Sequence, residues 1–263
     1  MSKTKVIAFA NNKGGSGKTT TTSNVACALA LSGKKVLAID GDMQLNLTIS
    51  YFDEEAALSF AESGKNIYSA IKEEKDLNSC IVETAFEGLD MIPSSSLMSG
   101  IEFELFTKWQ RESVFKKLLA PVCAKGYYDY ILIDAPPTLG GWVMNILCAA
   151  DFLVIPVEAS PWGLFGLANM FEFCNQAKNI APNLKILGIA ITKADERKKY
   201  FKQTLETLKE TDGVRLFENY IRVDSAVEWA QDNSKPVVAY KKTSRSAVEY
   251  INLTKEIIEY ANR

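Results

Sequence analysis

"VIAFANNKGGSGKTT", residues 6–20, joins an apolar run to a glycine-rich loop that closes on Lys-Thr-Thr. A buried strand, a glycine loop and a helix opening at the threonines together make a phosphate-binding loop. Gly14, Gly15 and Gly17 free the backbone so that its N–H groups, with that of Ser16, can turn toward anionic oxygens. The helix expected from Thr19 adds the positive end of its dipole. Lys18 is the residue to reach the terminal phosphates, and the Thr19 hydroxyl, with Thr20 beside it, is placed to ligate Mg²⁺. One position departs from the ordinary G-x-x-x-x-G-K-[ST] pattern. The opening glycine is replaced by Asn12, and a second lysine, Lys13, follows it.

Outward from the loop, short apolar runs alternate with helix-length segments. The runs at 6–10, 35–40, 89–93, 130–134, 152–157 and 185–192 are continuous rather than alternating, as expected of strands covered on both faces. Helical segments are expected over 19–32, 98–120, 139–149, 162–180 and 196–211. This rhythm predicts an α/β fold with a doubly wound, mainly parallel sheet flanked by helices, in one domain spanning 1–263. After "VRLF" (214–217) the rhythm gives way to "VDSAVEWAQDN", "KPVVAY" and a last helix near 244–261. The acidic stretch 53–65 reads as a mobile loop.

Composition narrows the class. The chain has 263 residues, 47% hydrophobic and 24% charged, with a formal net charge of -2, enough for a large core and against an overall basic coat. There is no histidine, and the five cysteines form no C-x-x-C pair, which argues against zinc sites and disulfide frameworks. Reduced, buried thiols in a cytoplasmic protein are the expectation. No run approaches the roughly 18 apolar residues of a membrane span, and the N-terminus lacks the apolar core of a signal peptide.

Two further stretches end apolar strands in carboxylates. "VLAIDGDMQLNLT" (36–48) sets Asp40 and Asp42 just past the second strand, where an open α/β sheet faces its ligand crevice. "YDYILIDAPPTLGG" (128–141) ends a strand in Asp134, the position that holds Mg²⁺ through water in phosphate-loop enzymes, and Pro136 and Pro137 then turn the chain away.

Lys13-Gly14-Gly15-x-Gly17-Lys18-Thr19-Thr20 resembles the deviant Walker A loop of the ParA/MinD ATPases, with Lys13 at the family's signature lysine. The resemblance extends to the D-x-D-P-Q-x-N-x-T switch, of which Asp40, Asp42, Gln44, Asn46 and Thr48 are present while Met43 replaces the proline. It runs from about residue 5 to 257. It implies a Mg²⁺-dependent ATPase that forms an ATP-sandwich homodimer, Lys13 reaching across to the partner's phosphates. Asp42 would orient the attacking water, and Asp40 would belong to the switch and the metal surroundings. "ITKAD" (191–195), with Thr192, and "NYIRVDSAVEWA" (219–230), with Arg222, match the places that enclose the base. Asp195 lacks the N-K-x-D context of guanine readers, so ATP is expected over GTP.

The resemblance points first to a DNA partition ATPase, closest to small ParA proteins that lack an N-terminal helix-turn-helix. Its partners would be non-specific DNA and a small ParB-like, centromere-binding activator, with a cytoplasmic, nucleoid-associated location. Phosphate contacts need cations. Lys193, Arg197, Lys198, Lys199 and Lys202 cluster in 192–202, and Arg215, Arg222, Lys241, Lys242 and Arg245 could extend the patch. A MinD-like membrane-positioning ATPase is the alternative, but "YINLTKEIIEYANR" carries mixed charge where a basic amphipathic helix is wanted. Related iron–sulfur ATPases rank last, since neither Cys123 nor Cys148 lies in a paired motif.

Overall fold

The computed structural model describes residues 4–210 and 215–263. Seven strands form one sheet: β1 (Lys5–Phe9), β2 (Val36–Asp40), β3 (Val82–Glu83), β4 (Leu89–Ile92), β5 (Tyr130–Asp134), β6 (Phe152–Glu158) and β7 (Lys185–Thr192). Their order is β3-β4-β2-β5-β1-β6-β7. Every pairing is parallel except the antiparallel β3–β4 edge. The six strands expected from the apolar runs are all present, so the doubly wound fold class is correct. Two-residue β3 is too short to leave a pattern in the sequence.

Side chains alternate across the central strands. Ile7 and Phe9 of β1 face one apolar layer and Val6 and Ala8 the other, and both layers are buried. Both faces being buried is why these strands are uniformly apolar. Register then decides the site: Phe9 pairs with Asp134, and Asp134 with Asp40, so the carboxyl ends of β1, β5 and β2 finish in one row.

The helices are α1 (Lys18–Leu31), α2 (Asn46–Ile49), α3 (Glu54–Glu62), α4 (Ile67–Glu73), α5 (Ile101–Phe106), α6 (Val114–Ala124), α7 (Gly141–Ala149), α8 (Pro161–Ile180), α9 (Lys199–Lys209), α10 (Ser225–Asp232), α11 (Val237–Tyr240) and α12 (Arg245–Ala261). Helix α1 is buried along most of its length despite its polar residues, several of which find hydrogen-bond partners. The Thr22 hydroxyl donates to the Lys18 carbonyl at 2.9 Å, and Asn24 donates to the Thr20 carbonyl at 2.8 Å while accepting from the Val238 N–H at 3.2 Å. Helix α12 covers α1 with Ala247, Tyr250, Leu253 and Ile257. Its apolar face is thereby used inside the domain, and no helix among the described residues is long and apolar enough to cross a membrane.

Two local expectations need correction. Residues 53–65 are not a loop: Asp53 caps α3 by accepting from the Ala56 N–H at 2.9 Å, and Glu54 and Glu55 complement the helix dipole. The segment 98–120 is not one helix, because Gln110 sits at φ 51, in the left-handed region that breaks it. Asn145 holds the break, donating to the Arg111 carbonyl at 2.7 Å and accepting from the Phe115 N–H at 3.1 Å. In 214–217, Leu216 makes only an isolated parallel bridge with Ile189, and Val214 lies outside the described residues, as does the end of the 196–211 segment.

Candidate nucleotide site

A cavity of about 690 Å³ opens at the carboxyl ends of the central strands, within the range of small-molecule sites. Gly14, Gly15, Ser16, Gly17, Lys18, Thr19 and Thr20 line one wall, joined by Asp42, Thr192 and Arg222. The loop is tied to β7 by the Thr192 hydroxyl, which donates to the Ser16 carbonyl at 2.8 Å. Gly17, at φ 82, has no room for a side chain, since a Cβ there would stand 3.1 Å from the Thr192 side chain.

Lys18 is almost fully buried, and its ammonium donates to the Lys13 carbonyl at 3.1 Å. Burial pushes its pKa down, opposed by the nearby Asp134 and Asp42 carboxylates. A desolvated ammonium with donors to spare is a site for an anion. Behind it, the Thr19 hydroxyl donates to Asp134 Oδ2 at 2.6 Å, while Asp134 Oδ1 is buried with no hydrogen-bond partner. Burial and the Asp40 charge hold the Asp134 carboxyl well above the usual carboxylate range. A buried acceptor without a donor, beside a hydroxyl at the mouth of a phosphate loop, fits a hard divalent cation that takes few protein ligands and keeps its waters. Consistently, no cluster of three or more Cys, Asp or Glu side chains that could hold a metal occurs among the described residues.

The two switch carboxylates have different surroundings. Asp40 does not border the cavity. Its Oδ2 accepts from the Thr48 N–H at 2.8 Å and hydroxyl at 2.7 Å, and its Oδ1 from the Asp42 N–H at 3.1 Å. Both oxygens are used to fold the switch. Asp42, anchored only by accepting from the Gln44 N–H at 3.1 Å, borders the cavity.

Asp40 also has a pH signature. Complete burial pushes its pKa up to about 6, against an unfolded value near 4. The folded protein therefore binds a proton that the unfolded chain releases between these values, and the stabilisation is lost as pH rises through about 6. The ligand-free protein should melt higher at pH 5 than at pH 7.5. Asp40→Asn should shrink that difference in a thermal-melt series.

Lys13 does not line the cavity of its own chain. Its ammonium donates to Glu158 Oε2 at 2.6 Å and to the Ser160 hydroxyl at 2.9 Å, at the end of β6. Lys193, expected on an outer cationic face, instead borders the cavity at φ 50. Sequence reading missed Gln231, which donates to the Thr20 hydroxyl at 3.1 Å, while Ile221, Val223 and Val227 of the expected 219–230 segment do line the cavity.

The expected cationic patch is thinner than its composition. Arg197 is forked onto Asp195 at 2.9 and 3.0 Å, Arg222 binds Glu249 at 2.5 Å, and Arg245 donates to the Val223 carbonyl at 2.5 Å. Arg215 stacks on the Tyr260 ring, 3.8 Å from its centre. Lys198, Lys199, Lys202, Lys241 and Lys242 are exposed.

Comparison with known proteins agrees with this geometry. Residues 4–186 match the AAA domain family. The sporulation initiation inhibitor protein Soj of Bacillus subtilis is 35% identical over 254 residues, covering 96% of this chain and 98% of that protein. The chromosome-partitioning ATPase Soj of Treponema pallidum is 32% identical, covering 97% of each chain. Among solved structures, a Borrelia burgdorferi B31 protein assigned to plasmid partition and bound to AMPPNP superimposes with a TM-score of 0.80 at 27% identity, covering 98% of this chain and 99% of that one. A phosphate loop with a second lysine, a strand-end aspartate bonded to its threonine, a family match over residues 4–186 and a Soj relative matched along nearly the whole length lead to one conclusion: the chain belongs to the ParA/MinD-type P-loop ATPases.

Proposed function

We propose that this chain binds ATP with Mg²⁺ in the cavity, hydrolyses it as an ATP-bridged homodimer on non-specific DNA, and drives DNA partition with a small ParB-like activator. The reading is carried by one coincidence: Lys18, Thr19 and Asp42 line one cavity, with Asp134 bonded behind Thr19, in a chain matching Soj along 98% of that protein. Lys18 and the loop amides hold the phosphates. Thr19 and Asp134 would hold Mg²⁺, which would supply neutralisation of phosphate charge when bound. Asp42 orients the attacking water. Thr192, Arg222 and the neighbouring apolar residues enclose the base and sugar.

Lys13 is read as the lysine that acts on the partner's phosphates, because its side chain leads away from its own cavity. Two nucleotides brought together across an interface repel, and a cation from each side offsets that repulsion. Lys198, Lys199, Lys202, Lys241 and Lys242 are the exposed groups available to DNA phosphates. The location that follows is cytoplasmic, on the nucleoid.

Light scattering and DNA pelleting on the same samples test this. Wild type should dimerise with ATP and pellet with DNA, and pelleting should weaken with salt by about 0.9 in log-log slope per phosphate neutralised. Lys13→Ala should bind ADP normally yet lose both ATP-dependent dimerisation and DNA pelleting. A Lys13→Ala protein that still dimerises removes the trans role. ATP-dependent binding to liposomes instead of DNA would favour membrane positioning.

A further inference from the structure

Trp142 opens the first turn of α7 and is fully buried. Its indole N–H donates to the Gly41 carbonyl at 2.8 Å, a contact between residues 101 positions apart. A buried indole needs an acceptor and a buried carbonyl a donor, and each satisfies the other. Gly41 lies between Asp40 and Asp42, and its own N–H donates to the Asp134 carbonyl at 3.0 Å. The contact requires glycine: a Cβ at 41 would stand 2.7 Å from the Asp134 carbonyl oxygen and 3.2 Å from the indole nitrogen.

The Gly41 carbonyl and the Asp42 N–H belong to one peptide group, which is planar and rigid. Its oxygen is held by Trp142 and its N–H by Asp40 Oδ1 at 3.1 Å, so the plane is fixed at both ends immediately before the Asp42 Cα. Trp142 is itself held. The Gly141 and Trp142 N–H groups donate to the Glu102 carboxylate at 2.9 and 3.1 Å, and the Phe115 ring meets the indole edge-on with centres 5.0 Å apart.

We propose that Trp142 is a positioning residue for hydrolysis: by holding the Gly41 peptide plane it aims the Asp42 carboxylate into the cavity. This rests on the reading of Asp42 as the group that orients the water. Without the indole N–H the peptide can rock about its remaining bond, and Asp42 swings with it. The phosphate loop, which Trp142 does not touch through this bond, stays formed. Turnover and nucleotide affinity should therefore separate.

The cleanest variant replaces Trp142 with benzothienylalanine, in which sulfur stands where the indole N–H was and ring volume is kept. It avoids the packing loss that could unfold Trp142→Phe, which serves as a companion. With ATP and Mg²⁺, the isostere should bind within about twofold of wild type while kcat falls roughly tenfold, short of the ~10²-fold that a misplacement of about 1 Å can cause. In an Asp42→Ala background it should produce no further fall. An isostere with wild-type kcat overturns the positioning role, and so does an equal fall in the Asp42→Ala background, which leaves the Asp42 reading intact. Asp42→Ala alone at wild-type turnover removes the Asp42 reading, and the positioning role with it.

Discussion

Lys18→Ala should bind ATP at least about 10²-fold more weakly than wild type, with its fold preserved. Its ammonium is buried between the loop and two carboxylates and spends one hydrogen bond on the Lys13 carbonyl. The remaining donors are what a phosphate would take, at roughly 1.5–3 kcal/mol for each charged hydrogen bond. Deleting the side chain also removes the ammonium that stands between Asp42 and the phosphates, so part of the attraction is lost. Titration calorimetry with ATP and Mg²⁺, beside circular dichroism, measures both halves of the expectation. Unchanged affinity in a folded variant would falsify the phosphate-loop assignment.

Asp42→Ala should do the reverse, binding ATP like wild type and hydrolysing it about 10²-fold more slowly, the usual scale for losing a general base. The carboxylate is tethered only to the Gln44 N–H, so its removal costs the switch one hydrogen bond, and the loop that grips phosphate is untouched. Asp40→Ala makes the instructive contrast. It deletes the acceptor of three switch hydrogen bonds and should lower stability as well as rate. Single-turnover phosphate release, with melting temperatures for both variants, separates the chemical carboxylate from the architectural one.

That contrast marks how far sequence reading reaches. The strands, the loop and Asp134 could be read directly, because apolar runs buried on both faces and a strand-loop-helix junction are local patterns. Asp40 and Asp42 look alike in "AIDGDMQ", and only tertiary structure, which brings Thr48 onto one and the cavity to the other, tells them apart. The Trp142–Gly41 bond had no signal at all, since a buried tryptophan in an apolar helix reads as core. One arginine of the supposed cationic face meets an acid on another element: Arg222 is spent on Glu249 of α12, beyond the reach of spacing along the chain. Helix α3 is the opposite case, a miss where a signal existed. Asp53-Glu54-Glu55 is an N-terminal helix signature, although the acidity of 53–65 reads as a mobile loop.

The tether of Lys13 to Glu158 and Ser160 changes what any other use of that lysine is worth. A cation that already has a carboxylate 2.6 Å away cannot contribute its full attraction to a second anion. It contributes only the difference between the two, minus whatever Glu158 loses on being left behind. In the proposed dimer, therefore, association is an exchange reaction: one ion pair is broken inside each chain for every new one made between chains. Such a reaction runs close to balance, and a small change in the competing anion tips it. The γ-phosphate is the natural candidate, since it adds charge at the receiving end without touching the giving end. Glu158 then acts as the reference against which the nucleotide is compared, setting how much phosphate charge is needed before two chains hold together.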